Sequence, residues 1–412
     1  MTLGRLDTRC CIVGGGPAGM MLGLLLARAG VDVVVLEKHR DFLRDFRGDT
    51  IHPSTLELMH ELGLLDEFLK LPHQQARTLN GQVGDMAFTV ADFSHLPTRC
   101  KFIAFMPQWD FLNFLADKGR RYPTFRLLMQ AEATGVIETA GAVTGVRATA
   151  PEGSLEIRAP LVVGCDGRHS TVRTSAGLQI ETIGAPMDVL WFGVGRRADD
   201  PPETMGVFRP GHIFIAINRG DNWQCGFVIA KGTIDDVHRR GLPAFRAEVA
   251  QSMPALAGRL DAVTDWNQVK LLTVAVDRLK RWYRRGLLCI GDAAHAMSPV
   301  GGVGINLAVQ DAVAAANILA EPLRKGPVGE DLLAAVQKRR EFPTRVTQRL
   351  QVLVQNNVIT GALSSKGAIT PPLPAKLLQR FPILRRIPAR LVGVGIRPEH
   401  VRTPEAAPPT AS

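Results

Sequence analysis

The feature that most constrains the fold of this chain is a glycine cluster between an apolar strand and an apolar helix. Gly14, Gly16 and Gly19 fit the spacing G-x-G-x-x-G, with Pro17 and Ala18 inside the run. The first glycine permits a tight turn after a strand, and the second lets the backbone approach a pyrophosphate. The third lets the helix pack closely on the strand. The spacing therefore predicts a loop that binds a dinucleotide.

Apolar segments flank this cluster on both sides. Their patterns predict a strand over 8–14, a helix over 17–29 and a second strand over 31–36. Glu37 ends the second strand, where a carboxylate can accept hydrogen bonds from an adenosine ribose, and Lys38 follows it. This order predicts a parallel βαβ unit. The loop alone does not distinguish NAD from FAD.

Composition and charge limit the class of protein. The 412 residues carry a net charge of +10, which fits a solubility bias, attraction to anionic cofactors or membrane surfaces, or nucleic-acid binding. An aromatic content of 6% and the lack of a recognisable nucleic-acid module disfavour the last reading. Six scattered cysteines without a CxxC pair indicate free thiols, with neither a disulfide framework nor a metal site.

The apolar run over 10–27 has the length of a signal peptide or a membrane span. Its glycines and Pro17 would break a spanning helix, so a strand, a loop and a helix are the better interpretation. We expect a cytoplasmic protein, either a monomer or a homodimer.

Two later apolar strands each end in a turn that contains glycine and aspartate. Asp166 lies in the run Gly-Cys-Asp-Gly at 164–167, and Asp292 lies in Gly-Asp-Ala-Ala-His at 291–295. An aspartate at the carboxyl end of a parallel strand projects into the ligand crevice of the sheet. A plain Asp-Gly turn and an ordinary βα connection are the alternatives.

Glycines also precede the next predicted helix, which covers 305–320. Gly301, Gly302 and Gly304 would let the backbone approach a flat ring, and the helix directs its positive amino terminus to the same place. Between about 183 and 275 the pattern changes to short alternating stretches, which predict an antiparallel sheet inserted into the nucleotide-binding domain.

Three of these motifs, in chain order, resemble those of the single-component FAD-dependent aromatic hydroxylases, typified by para-hydroxybenzoate hydroxylase. They are the glycine loop at 14–19, the run at 164–167 and the run at 291–295. The resemblance implies an α/β fold: a Rossmann-like FAD-binding domain with a parallel sheet, plus an inserted antiparallel-sheet substrate domain. The expected bounds are 1–76, 98–182 and 276–345 for the FAD-binding domain, 77–97 and 183–275 for the substrate domain, and 346–412 for a helical, proline-rich segment whose tail is disordered from Thr403.

The resemblance also implies a set of cofactor contacts. These are Gly14, Gly16, Pro17, Ala18, Gly19, Glu37, Lys38, Arg47, Gln108, Asp166, Arg168, Asp292, Gly301, Gly304, Ile305 and Asn306. In the family, residues like Arg47 and Gln108 lie near the flavin, the pair like Asp166 and Arg168 serves both FAD and NAD(P)H, and Asp292 matches an aspartate that binds the ribityl chain.

Two further residues are implied near the chemistry. Pro299 matches a proline beside the reacting face of the flavin, and His295 belongs to the same motif. Both are candidate catalytic residues, although a structural role is favoured for His295 over a catalytic one.

The reaction implied is that of an FAD-dependent monooxygenase. NADPH or NADH reduces FAD, O2 adds to give a flavin C4a-hydroperoxide, and an aromatic or quinone-precursor small molecule is hydroxylated. The lack of a second G-x-G-x-x-G agrees with this family, and the lack of a CxxxxC argues against disulfide reductases. An epoxidase or an isoprenoid-chain reductase on the same scaffold remains an alternative, as does a flavin-binding protein without turnover.

The substrate side is less defined. The chain contains only two tyrosines, Tyr122 and Tyr283, which disfavours a tyrosine base. The candidates on the inserted sheet are each expected in the core rather than in a pocket, and none is assigned as a base: Trp191, Phe192, His212, Phe214 and Phe227.

The stretch 373–396 alternates apolar and basic residues. It allows weak peripheral contact with a membrane surface, but its prolines favour a cap on the flavin domain.

Overall fold

The computed structural model describes residues 4–43, 50–201, 203–365 and 367–406. Its helices are α1 (Pro17–Arg28), α2 (Pro53–Glu61), α3 (Leu65–Phe68), α4 (Gln108–Gly119), α5 (Thr171–Ser175), α6 (Ile234–Ser252), α7 (Gly304–Lys325), α8 (Glu330–Val354), α9 (Thr360–Ser364), α10 (Leu373–Arg380) and α11 (Arg386–Gly393). Its strands are β1 (Gly4–Asp7), β2 (Cys10–Val13), β3 (Val33–Glu37), β4 (Thr50–Ile51), β5 (Gln74–Ala76), β6 (Thr78–Val83), β7 (Met86–Asp92), β8 (Ile103–Phe105), β9 (Phe125–Met129), β10 (Glu132–Thr139), β11 (Ala142–Ala150), β12 (Gly153–Arg158), β13 (Leu161–Gly164), β14 (Ile180–Thr182), β15 (Met187–Gly195), β16 (Met205–Arg209), β17 (His212–Asn218), β18 (Asn222–Ala230), β19 (Lys270–Leu272), β20 (Asp277–Leu279), β21 (Tyr283–Arg284), β22 (Leu287–Cys289) and β23 (His295–Ala296).

A six-stranded sheet forms the centre of the nucleotide-binding half. Its order is β21-β22-β13-β2-β3-β9, and every neighbouring pair is parallel except β21–β22. All residues of β2, β3, β13 and β22 are buried, because α1, α4 and α7 cover one face and the β10–β11–β12 layer covers the other. The predicted βαβ unit and α/β fold class are confirmed.

The apolar spacing over 52–70 predicts one helix, and the pattern over 154–164 predicts one strand, but the structure divides both elements. The helix expected over 52–70 becomes α2 and α3, because Gly63 between them has a φ of +69°. The strand expected over 154–164 becomes β12, which pairs with β11, and β13, which joins the parallel sheet. Pro160 lies between the two strands and cannot donate a ladder hydrogen bond.

The inserted half is built on a seven-stranded sheet of order β19-β15-β18-β17-β16-β6-β7. It is antiparallel apart from one parallel pair, β6–β16. The sequence interpretation missed α6, a helix that packs across one face of this sheet. Gly241 has a φ of +83° and Pro243 follows it, so the two residues kink α6 and weaken its helical pattern.

Among the residues that the structure describes, one helical stretch, Val300–Lys325, is long and apolar enough to cross a membrane, but 78% of its apolar 18-residue window is buried inside the protein. It is the core helix of the nucleotide-binding half, where it packs against α1 and α8.

The last described residues are attached to the nucleotide-binding half rather than free of it. The Arg28 guanidinium donates to the Thr403 carbonyl at 2.8 Å, Tyr122 Oη donates to Glu405 at 2.8 Å, and Ala406 N donates to the Arg28 carbonyl at 3.0 Å. This differs from the expectation that disorder begins at Thr403, because these hydrogen bonds fix residues 403–406 on α1.

Candidate functional site

The three predicted motifs meet at one edge of the parallel sheet. Strands β2, β13 and β22 are neighbours and point the same way, so their carboxyl ends lie side by side. Cys165 N donates to the Val13 carbonyl at 2.7 Å, and Ile290 N donates to the Gly164 carbonyl at 3.0 Å. This edge is where parallel α/β sheets bind ligands.

The glycine loop after β2 shows which glycines are needed for packing. A Cβ on Gly14 would lie 2.4 Å from the Cys165 carbonyl oxygen, and a Cβ on Gly19 would lie 1.9 Å from the Gly14 carbonyl oxygen. A Cβ on Gly16 would meet nothing within 4 Å. The first and third glycines therefore permit close packing, whereas the space at Gly16 is open for a ligand.

Helix α1 begins at this open position. Its N-cap is Gly16, Pro17 occupies the first turn, and no side chain caps the helix. The backbone N–H groups of Ala18 and Gly19 are thus left for an anion at the positive end of the helix.

Glu37 lies beside the loop and is buried. Its carboxylate accepts hydrogen bonds from Gly15 N at 3.1 Å and His39 N at 3.0 Å. The first of these fixes the glycine loop after β2 in its position beside Glu37. Lys38 is exposed next to it. Arg47, predicted near the flavin, lies outside the described residues.

The turn after β13 uses its aspartate to begin a helix. Asp166 accepts from Ser170 Oγ at 2.5 Å and from Val172 N at 3.2 Å, which fixes the first turn of α5. Burial raises the pKa of Asp166, although these hydrogen bonds oppose the shift. Its Cα would be 2.8 Å from a Cβ on Gly14, so the aspartate lies against the open loop.

Arg168 links this turn to the other two parts of the site. Its guanidinium lies 3.7 Å from the Asp292 carboxylate and donates to the Thr273 carbonyl at 3.2 Å in the inserted half. Arg168 and Asp292 are both partly exposed. The structure therefore brings the predicted Asp166, Arg168 and Asp292 to one partly open edge.

The glycines before α7 adopt conformations that other residues avoid. Gly301 and Gly302 have φ values of +79° and +62°. A Cβ on Gly302 would lie 2.5 Å from Thr50 Oγ1, so this turn presses against β4. Helix α7 follows without a side-chain cap and without an acid in its first turn, which includes Gly304 and Ile305.

The Asn306 side chain is buried and hydrogen-bonded within the protein rather than exposed at the crevice. Its Oδ1 accepts from His52 N at 2.9 Å and from Thr55 Oγ1 at 2.7 Å, and its Nδ2 donates to the Thr50 carbonyl at 3.0 Å. The side chain, predicted to bind the cofactor, therefore ties α7 to the start of α2. Its backbone stays at the helix amino terminus.

His52, whose backbone N–H donates to Asn306, is fully buried. Its Nδ1 lies 2.8 Å from the Val392 carbonyl of α11, and its Nε2 has no partner in the described part of the chain. Burial lowers the pKa of His52 to about 4, against the opposing hydrogen bond with Val392, so the imidazole is neutral at neutral pH.

Pro299 is partly exposed and is held by a row of glutamines that the sequence interpretation missed. Gln351 Nε2 donates to the Ser298 carbonyl at 2.9 Å and to the Val300 carbonyl at 2.8 Å, and Gln355 Nε2 donates to Ser298 Oγ at 2.6 Å. A π-helix at Gln355–Ile359 continues α8. The glutamines recur at helical spacing, which was a readable signal for one buried polar face.

His295 lies in a buried charged network. Its Nε2 is 2.6 Å from Asp311 Oδ2, and Arg340 Nε donates to Asp311 Oδ1 at 2.9 Å. Glu399 lies 3.4 Å from Arg340. Asp311 Oδ2, the oxygen that contacts His295, also accepts a hydrogen bond from Gly291 N at 3.1 Å, so this network holds the Gly-Asp turn. With 1% of its surface exposed, His295 is placed to support the turn rather than to touch a substrate.

Asp311 is charged despite complete burial. Burial alone would raise the pKa of Asp311, but His295 and Arg340 outweigh this effect through charge and hydrogen bonds and hold the pKa below its ordinary value. A lone acid within the apolar helix 305–320 was the sequence signal for this network.

Gln108 begins α4 directly after Pro107. It is partly exposed, and its amide makes no hydrogen bond to the residues that the structure covers. The side chain is therefore available to a ligand.

The aromatic candidates of the inserted sheet divide between its two faces. Phe192, Phe214 and Phe227 are buried against α6. His212 stacks on Phe227 with 4.7 Å between ring centroids and lies 2.7 Å from Ser252 Oγ. These four residues are core, as expected.

Trp191 lies on the opposite face. It packs with Val300 in the cluster next to the Pro299 loop, and its ring covers Gly226, where a Cβ would be 3.0 Å away. Trp191 is partly exposed, and its indole N–H has no partner within the described residues. Of the five candidates, it alone faces the predicted site.

The chain is similar to known proteins both in sequence and in structure. A family profile described as "FAD binding domain" matches residues 7–350. The chain is 33% identical over 389 residues to a 6-methylpretetramide 4-monooxygenase of Streptomyces rimosus, a match that covers 93% of this chain and 92% of that protein.

Other relatives are longer than this chain. A 12-dehydrotetracycline 5-monooxygenase/anhydrotetracycline 6-monooxygenase of Streptomyces rimosus is 29% identical, and the match covers 73% of this chain but 60% of that protein. The solved structure of an anhydrotetracycline hydroxylase from Streptomyces rimosus superposes with a TM-score of 0.74 at 25% identity, covering 94% of this chain and 76% of that one.

Asp311→Asn tests the importance of the buried network for stability. The amide removes one of the two buried anions beside the Arg340 guanidinium and leaves only Glu399, so we expect the free energy of unfolding to fall by about 3 kcal/mol in urea titrations. Glu321→Gln is the control, because the Lys325–Glu321 pair is exposed and its loss should give no resolvable change. Equal stabilities for the wild type and Asp311→Asn would contradict the assignment.

His52 predicts a pH dependence of stability. The unfolded chain protonates His52 near pH 6.5, whereas the folded protein keeps it neutral down to about pH 4. The contribution of His52 to the free energy of unfolding is therefore fully present above pH 6.5. It falls by about 1.4 kcal/mol for each pH unit between pH 6.5 and about pH 4. His52→Gln should flatten that part of the acid limb relative to the wild type. The exposed His60→Gln should not, and identical pH slopes for all three proteins would refute the prediction.

Proposed function

The chain belongs to the FAD-binding-domain family of flavin-dependent monooxygenases that act on aromatic compounds, and from this membership we propose that it hydroxylates an electron-rich aromatic small molecule with O2 and NADPH or NADH. The observation that carries the proposal is the convergence of three glycine-bearing turns at one sheet edge, with open space at Gly16. Those turns are the parts that a dinucleotide and a flat ring require.

The residues present fit FAD. Gly16 and the uncapped start of α1 would hold the pyrophosphate, and Glu37 would hold the adenosine ribose. Asp292 would bind the ribityl chain, beside Arg168. The turn at Gly301 and the start of α7 would face the pyrimidine edge, where the helix dipole stabilises negative charge. FAD, when bound, supplies the activation of O2 that amino-acid side chains cannot provide.

The proposed reaction is balanced by its two co-substrates. NADPH or NADH gives a hydride and solvent gives a proton. One oxygen atom of O2 bonds to a ring carbon in place of its hydrogen, and the other oxygen atom leaves as water. The ring hydrogen, the hydride and the proton become the hydrogens of the new hydroxyl group and of that water. Electrophilic oxygen transfer requires a site that excludes water. The buried row of Gln351 and Gln355 fixes the Pro299 loop, and Trp191 and Val300 pack on one apolar cluster beside it.

We infer that the substrate is a flat aromatic molecule which packs against Trp191. The Trp191 ring is partly exposed on the face of the sheet that also packs with Val300, which suits the stacking of a flat molecule. The relatives named for 6-methylpretetramide and anhydrotetracycline make those two compounds the first substrates to test. An epoxidase or an isoprenoid-chain reductase on the same scaffold is the second candidate, distinguished by its product.

Gly16→Ala and Gly19→Ala should separate cofactor binding from folding. An alanine at residue 16 meets nothing within 4 Å, so we expect the apoprotein to keep its melting temperature while losing FAD, measured by absorbance after gel filtration. An alanine at residue 19 collides with the loop and should destabilise the apoprotein by about 2 kcal/mol or more. FAD retained by Gly16→Ala at wild-type affinity would contradict the proposed binding mode.

The activity is tested with the FAD-loaded protein, NADPH or NADH, and ¹⁸O2. We expect an aromatic substrate to stimulate NAD(P)H oxidation several-fold, and the product to gain one ¹⁸O atom by mass spectrometry. Product formation without oxygen would instead identify a reductase. Purification with bound NAD and no flavin would overturn the proposal altogether.

A further inference from the structure

The positive charge of this protein is concentrated in one segment. The 57 residues from 342 to 398 contain nine lysines and arginines and no aspartate or glutamate. The remaining residues hold 40 cationic and 39 acidic side chains. Nearly the whole net charge of +10 therefore comes from this segment, which we call the basic segment.

The basic segment also holds most of the large apolar side chains at the surface. Ten of the thirteen such side chains exposed in the described part of the chain lie within it. Those on or near α10 and α11 are Leu373, Leu377, Phe381, Ile383, Ile387 and Leu391. They recur every four residues along each helix, so they form two apolar stripes. A contiguous exposed patch of this kind marks an interaction site.

Helices α10 and α11 reverse the usual arrangement of a surface helix. Their buried residues are small: Ala375, Ala389 and Gly393. Their large residues face outward, with Leu373 68% and Ile383 65% exposed. A helix that only capped the sheet would bury its large apolar side chains against it. Here the small residues allow the two helices to pack closely on β7. The large apolar side chains remain exposed, where they can contact an apolar surface outside the protein.

The cations of this surface are unneutralised. Lys376, Arg380, Arg386 and Arg390 are exposed, and no ion pair involves them within the described ranges. Apolar stripes bordered by basic side chains are typical of helices that lie in a membrane interface, where the cations contact anionic headgroups.

This surface is next to the candidate site. The Val392 carbonyl of α11 accepts a hydrogen bond from His52 Nδ1 at 2.8 Å, and the Val392 side chain would lie 3.7 Å from a Cβ on Gly301. A surface bound by α10 and α11 would therefore lie near the Gly301 edge of the site.

We propose that α10 and α11 dock this protein on the surface of an anionic lipid bilayer. The apolar stripes enter the acyl boundary, and the four exposed cations bind the headgroups. A second copy of the chain is disfavoured as the occupant, because two basic segments would repel each other. The density of leucine and isoleucine also distinguishes this face from a nucleic-acid site, which would be mainly polar and charged.

The test is co-sedimentation of the FAD-loaded protein with vesicles of 30% phosphatidylglycerol and 70% phosphatidylcholine. We expect binding at 50 mM salt, weaker binding at 500 mM salt, and little binding to pure phosphatidylcholine. Arg386→Glu with Arg390→Glu should weaken binding at least about tenfold. Ile383→Ser, Ile387→Ser and Leu391→Ser together should do the same. All five positions are exposed, and bound flavin with an unchanged circular dichroism spectrum confirms folding.

Lys70→Glu with Lys101→Glu is the matched control, since both lysines are exposed outside the basic segment, and it should change binding less than twofold. Absence of binding to the anionic vesicles, or unchanged binding by the triple serine variant, would overturn the proposal. So would gel filtration that shows a dimer which this variant converts to a monomer, because a second copy would then cover the face.

Discussion

The carboxylate of Asp311 is the interaction on which the nucleotide-binding half most depends. It is a buried anion that accepts hydrogen bonds from Gly291 N and Arg340 and contacts His295, so it joins the Gly-Asp turn, α7 and α8. Neutralising Asp311 or Arg340 breaks a buried ion pair, which is far more costly than losing an exposed pair. The position of Asp292 at the crevice follows from this arrangement, because the turn that carries it has one fixed geometry.

The inserted sheet separates stability from recognition by strand alternation. Residues on one side, such as Phe192 and Phe214, pack against α6, whereas Trp191, which precedes Phe192 in β15, lies on the side that also packs with Val300. A change on the first side would alter packing, whereas Trp191 is the side chain that the proposed function places against the substrate. Because successive side chains of a strand point to opposite faces, adjacent aromatic residues can serve these two roles.

The parts of the fold that could be predicted from sequence are those set by local spacing. The loop at Gly14 and the strands around it needed only neighbouring residues, and so did the two Asp-containing turns. The charged network around Asp311 could not be predicted, because Arg340 and its second acid, Glu399, are distant along the chain and only tertiary packing selects them. Helix α6 was missed because Gly241 and Pro243 interrupt its pattern. The side-chain partners of Asn306 could not be predicted either, because they lie some 250 positions earlier in the chain.

The central sheet also dictates when the protein can acquire its structure during synthesis. Its adjacent strands β2, β13 and β22 come from the beginning, middle and later part of the chain, and Glu399 completes the charge network at Arg340. Contacts this distant in sequence form slowly, and nascent domains fold only after their segments leave the ribosome. The nucleotide-binding half therefore cannot fold until almost the entire polypeptide has been made, whereas the inserted sheet can assemble earlier. During that interval the apolar strands of the central sheet are exposed on the nascent chain, which makes it prone to aggregation.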